Sequence, residues 1–79
     1  MTIKLQYFGL IAEVVGCQQE SLTLATIATV AELKAALFEK YPPLSSVYFT
    51  LAVNQKMASE NTLIDSNSEI ALLPPFAGG

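Results

Sequence analysis

The feature that most limits how this chain can fold is a single well-marked helix. Thr29-Val30-Ala31-Glu32 is a capping box. The Thr29 hydroxyl is placed to accept from the Glu32 backbone N–H, and the Glu32 side chain reaches back. Val30, Leu33, Leu37 and Tyr41 follow at spacings of three, four and four, which is one helical face. Lys40 lies in the last turn, where the helix dipole favours a cation. Pro42 and Pro43 forbid continuation. The helix is therefore about 12 residues, or ~18 Å, long. A lone helix with one apolar stripe needs a sheet to bury it against.

The flanking segments supply strands. From Thr2 to Phe8 the side chains alternate, with Ile3, Leu5 and Tyr7 on one face and Lys4, Gln6 and Phe8 on the other. Gly9 breaks the strand, Leu10 to Val15 reads as a short helical turn, and Gly16 is placed as its left-handed stop. Glu20 to Leu24 alternates again, with Leu22 and Leu24 inward, and is expected to pair antiparallel with the first strand. Tyr48 to Val53 is predicted as a strand, Asn54-Gln55 as a turn and Lys56 to Ala58 as a short return strand. Asn61 to Ser68 reads as polar, turn-rich loop. Glu69 to Leu73 is predicted as a central strand, its near-continuous apolar run suiting cover on both faces. The pattern gives an α+β domain over residues 1–73, a mixed four- to five-stranded sheet with one main helix on one face. Residues 74–79 form an extended tail.

Composition closes off many functions. The chain has 79 residues, so it makes one domain. It contains no His, so Ser-His-Asp and Cys-His catalysis and His-based metal sites are excluded. One Cys allows no internal disulfide and no cysteine-rich zinc site. There is no Arg, and four Lys against seven Asp and Glu give a net charge of −3, which opposes nucleic-acid and anionic-membrane binding. The glycines at 9, 16, 78 and 79 spell neither a P-loop nor a dinucleotide fingerprint. No signal peptide or membrane span is expected, and the reading is cytoplasmic. Apolar residues reach 52% with only 14% charged. A core this small leaves some of them on the surface, and such surface marks a partner site.

Three sites follow, each set beside its plainer reading. Cys17 has no base or cation near it in sequence to activate the thiol, so it is read as inert. Asp65 and Glu69 flank a turn and are read as solvated loop, with Asx-type support from Asp65 and Asn67. Phe8 and Leu73 point away from the helix by strand parity, and Met57 is placed to join them. An apolar cluster on the uncovered sheet face is read as a partner interface.

The terminus, Pro74-Pro75-Phe76-Ala77-Gly78-Gly79, is the most informative stretch. Its prolines fix φ, so the tail projects. Two glycines let backbone pass a channel that any Cβ would block. With no His, activated Cys or metal ligands, the distinctive group is the α-carboxylate of Gly79.

Together these segments resemble the ubiquitin-like β-grasp proteins, and among them the MoaD-type sulfur carriers, the small subunit of molybdopterin synthase. The resemblance covers the whole chain. It is carried by Phe8-Gly9-Leu10-Ile11-Ala12-Glu13-Val14-Val15-Gly16, Thr29-Val30-Ala31-Glu32-Leu33, Leu51-Ala52-Val53-Asn54-Gln55 and the run from Glu69 to Gly79. It implies a ubiquitin-activating-like adenylyltransferase that uses ATP to adenylate Gly79, and a sulfur donor protein that turns the adenylate into a thiocarboxylate. A pterin-binding large subunit, in a heterotetrameric sulfurtransferase, would then accept the tail. The chain itself would bind no cofactor. By the family pattern Phe8, Met57, Leu73, Pro74, Pro75, Phe76 and Ala77 contact partners, and Gly78 and Gly79 carry the chemistry.

Three positions depart from that pattern. Phe76 replaces a small aliphatic residue. Ala12 stands where some members carry Arg. Ser66-Asn67-Ser68 replaces a glycine turn, where Asn67 can take the left-handed conformation a glycine would, so the fold is expected to survive. Three other readings stay open: a carrier for thiazole synthesis, generally shorter and without Pro-Pro; a ubiquitin-like modifier; and a plain interaction module.

Overall fold

Strand parity and one helix build the described part of the chain, residues 1–24 and 28–75 of a computed structural model. In β1 (Thr2–Tyr7), Ile3, Leu5 and Tyr7 are buried and the residues between them exposed. α1 (Leu10–Val15) follows and stops at Gly16, whose φ of 94° is left-handed and whose N–H donates to the Ala12 carbonyl at 2.8 Å. β2 (Gln19–Thr23) returns antiparallel, with Leu22 opposite Ile3.

β3 (Ala28–Thr29) leads into α2 (Val30–Lys40). The capping box is present: Thr29 N–H donates to Glu32 Oε1 at 3.0 Å, and Glu32 N–H donates to Thr29 Oγ1 at 3.3 Å. Val30, Leu33 and Leu37 are the buried face of the helix. β4 (Thr50–Val53) and β5 (Lys56–Met57) form a hairpin. Its turn residues Asn54 and Gln55 have φ of 53° and 68°, the left-handed pair that matches strand twist. β6 (Leu63–Ile64) pairs antiparallel with β3 in a small second sheet. β7 (Glu69–Leu73) completes the main sheet.

The order of the main sheet is β2-β1-β7-β4-β5, with β1 and β7 parallel and the other pairs antiparallel. The two terminal strands are thus central neighbours. The core joins Ile3, Leu5, Ile70 and Leu72 of the sheet to Leu33 and Leu37 of α2, all within 2% of complete burial. Each such side chain contributes about 1.5–3 kcal/mol by leaving water. No described helix is long and apolar enough to cross a membrane.

The structure departs from the sequence reading at three places. Pro42-Pro43 do end α2, but they also open a 3-10 helix, Pro42–Ser46, whose Leu44 is fully buried. Proline at the first helical positions loses no needed N–H, which permits this. The strand expected from Tyr48 consequently begins only at Thr50, and Tyr48 is 87% exposed. The expected loop from Asn61 contains β6, because Ile64 buries fully opposite Ala28. Asn67 does not turn left-handed; the described non-glycine residues with positive φ are Asn54 and Gln55. An Asx turn holds that bend instead, with Asn67 N–H donating to Asp65 Oδ1 at 2.9 Å.

Candidate functional site

Because β1 and β7 are parallel neighbours, both end at the same edge of the molecule, where the tail begins. Tyr7 pairs with Leu72 in register, and Phe8 N–H donates to the Leu72 carbonyl at 3.2 Å. Phe8 therefore comes level with Leu73. Ile70 and Leu72 face the core, while Ala71 and Leu73 take the opposite face and are half-buried. Phe8 is 43% and Met57 59% exposed. Met57 lies opposite Ala52, which lies opposite Ala71. The expected trio thus shares the open face, with Met57 one row away and linked to the others through Ala52 and Ala71.

The tail root is fixed by close packing. Gly9 has φ 60° and ψ −137°, and a Cβ there would meet Pro74 Cγ at 2.9 Å. The proline ring lies against bare backbone, which only glycine offers without strain. Pro74 and Pro75 are exposed. On the side away from the sheet face, Leu10, Val47, Tyr48, Pro74 and Pro75 line an apolar groove of ≈ 310 Å³. The exposed Leu10 and Tyr48 escaped sequence reasoning. The side-chain alternation puts Tyr48 in a strand, and nothing in a short helical turn marks Leu10 as outward. A larger hollow of ≈ 690 Å³ beside Phe8 is lined mainly by polar side chains, with Ala12 on its wall. Phe76, Ala77, Gly78 and Gly79 lie outside the described residues.

The remaining candidates fall elsewhere. Cys17 is a free, half-buried thiol packed against the core. Asp65 uses its carboxylate on its own turn, accepting from Asn67 N–H and, at 3.3 Å, from the Ser68 hydroxyl. Glu69 N–H donates to Asn54 Oδ1 at 2.9 Å, which ties the last strand to the β4–β5 turn. Among the described residues no group of three metal-ligating side chains comes together.

One polar cluster was not foreseen. Glu20 shares the inward parity of Leu22 and accepts from Tyr7 Oη at 2.8 Å, from Tyr41 Oη, and from Lys40 Nζ at 2.7 Å. Burial opposes the Glu20 charge, but the hydrogen bonds from Lys40, Tyr41 and Tyr7 outweigh it and hold the carboxyl below its ordinary range. Burial, together with the Glu20 carboxylate, pushes the Tyr7 phenol far up. The cluster ties β2 to β1 and to the end of α2.

The chain is similar to known proteins along its whole length. Residues 5–79 match the ThiS family. The molybdopterin synthase sulfur carrier subunit of Caenorhabditis briggsae is 31% identical, with 100% of this chain and 99% of that protein covered. Among solved structures, SAMP1 from Haloferax volcanii superposes with a TM-score of 0.84 at 26% identity, over 100% of both chains. The protein-protein complex of subunits 1 and 2 of the molybdopterin-converting factor from Helicobacter pylori contains a chain that superposes with a TM-score of 0.70 at 28% identity, again over 100% of both. The fold is the ubiquitin-like β-grasp, with its mixed sheet and single main helix.

Proposed function

The chain belongs to the ThiS family, and from that premise we propose that it is the sulfur carrier subunit of a molybdopterin synthase. The observation that carries this reading is its full-length likeness to the sulfur carrier subunit of Caenorhabditis briggsae. The geometry fits: two central strands end together, and the tail leaves from a fixed root beside an apolar face.

The chemistry belongs to Gly79. A carboxylate is a poor electrophile. Attack of the Gly79 carboxylate on the α-phosphorus of ATP, in an activating enzyme, forms an acyl adenylate and releases pyrophosphate. Sulfur released by the donor as hydrosulfide then attacks the acyl carbon, AMP leaves with the acyl–phosphate oxygen, a proton is lost, and a thiocarboxylate remains. The large subunit takes in the tail through a passage narrow enough to require Gly78 and Gly79, and the sulfur goes to cyclic pyranopterin monophosphate. This chain has no Arg, so the groups that hold the phosphorylated pterin belong to the large subunit. Phe8, Met57, Leu73, Pro74, Pro75, Phe76 and Ala77 form the contact with the partner.

One observation favours a second reading. The likeness to SAMP1, a small archaeal modifier protein, allows attachment of Gly79 to lysines. Recovery of the native protein with its bound partners separates the two. A pterin-binding large subunit supports the carrier, isopeptide-linked conjugates support the modifier, and a thiazole synthase would redirect the sulfur to a different product.

A further inference from the structure

We propose that the apolar groove lined by Leu10, Val47, Tyr48, Pro74 and Pro75 is a second docking face for the large subunit, which therefore grips the tail root from both sides of the sheet edge. The inference rests on the carrier reading and adds residues to it. Four residues carry the chain from Pro75 to Gly79. Fully extended, they reach at most about 14 Å. A partner that draws Gly79 into an enclosed site must bring its surface within that distance of Pro75. An opening that surrounds so short a tail presses on everything around the root. On one side that is Phe8 and Leu73; on the other it is Leu10 and Tyr48.

The groove has the character such a rim needs. No charged side chain lines its ≈ 310 Å³. Leu10 is 57% and Tyr48 87% exposed, two of the five large apolar side chains that the described residues leave exposed, with Phe8, Met57 and Leu63. Large aromatic side chains anchor interfaces well because they bury much area for little loss of side-chain freedom. A second copy of this chain is a poor occupant, because seated on the root it would block the tail it has to deliver.

The test is titration calorimetry of the full chain against the purified large subunit. Leu10→Asp and Tyr48→Asp each place a charge in the groove but outside the core, so melting temperature stays near that of the wild type. Each is expected to weaken binding by roughly tenfold or more, and the pair by about a hundredfold. The milder Tyr48→Ser serves if either Asp variant folds poorly, with a smaller loss expected. Unchanged affinity in folded variants overturns this inference and leaves the carrier reading standing. Unchanged affinity with slower adenylation gives the groove to the activating enzyme, and unchanged affinity with lost self-association gives it to a second copy; either result overturns the proposal. Wild type that does not bind the large subunit overturns both readings.

Discussion

Placing Asp at Phe8 separates an interface residue from a core residue. Fully burying a Phe side chain contributes about 1.5–3 kcal/mol. Phe8 is 43% exposed, so a little over half of that is at stake in the free chain, about 1 kcal/mol. For a domain of this size that lowers Tm by roughly 4–8 °C. The new carboxylate remains in water, and no core group loses a partner. In the complex the same charge is driven into a desolvated contact without a partner, at a cost of about 3–5 kcal/mol. Affinity for the large subunit should fall by at least ~100-fold. Leu5→Ala is the reference for true core damage: Leu5 is fully buried, and such truncations cost about 2–5 kcal/mol. Thermal melts by circular dichroism and calorimetric titration give the two quantities. If Phe8→Asp melts as low as Leu5→Ala and binds as well as the wild type, Phe8 is a core residue and the parity argument is wrong.

Thr29→Ala removes the capping box of α2 and should cost about 1 kcal/mol in denaturant unfolding. Leu44→Ala empties a fully buried position in the 3-10 helix and should cost about 2–5 kcal/mol by the same measurement; a near-neutral result would mean that the segment does not pack as described. The Glu20 carboxyl is held below its ordinary 4.5, so the stability it contributes is present above that value and is lost as pH falls through its lower folded value. Glu20→Gln should therefore flatten the fall of Tm with acid below about pH 5.

The sequence was most readable where a side-chain period ran long enough to be unmistakable. Ile3, Leu5 and Tyr7 fixed the face of β1, and the spacing from Val30 to Leu37 fixed the buried face of α2. The same parity placed Phe8 and Leu73 on the open face. Two-residue strands have no period, so the pairing of Leu63–Ile64 with Ala28–Thr29 could not be seen. A double proline after a helix marks a stop but does not show that it also starts a 3-10 turn, which hides Leu44 and displaces Tyr48. Glu20 was hidden for another reason. Its partners Tyr7, Lys40 and Tyr41 are thirteen to twenty-one residues away in sequence, and only tertiary packing brings them to one carboxylate. The groove at Leu10 and Tyr48 needed three separate segments in place before it existed.

The central claim is that sulfur is carried on Gly79, and intact-protein mass after incubation with ATP, the activating enzyme and a sulfur donor tests it most directly. Wild type should gain the mass of one oxygen-to-sulfur exchange at its C-terminus. Cys17→Ser should gain the same mass, since that half-buried thiol has no part in the account. Deleting Gly79 should abolish the gain. An added residue would move the carboxylate by about 3.3–3.6 Å, and an error of ~1 Å already costs around a hundredfold in rate, so it too should fail. Both tail variants should melt with the wild type, because each leaves every described core residue unchanged. Tail variants that support molybdopterin formation as well as the wild type, or sulfur found on Cys17, would contradict the account.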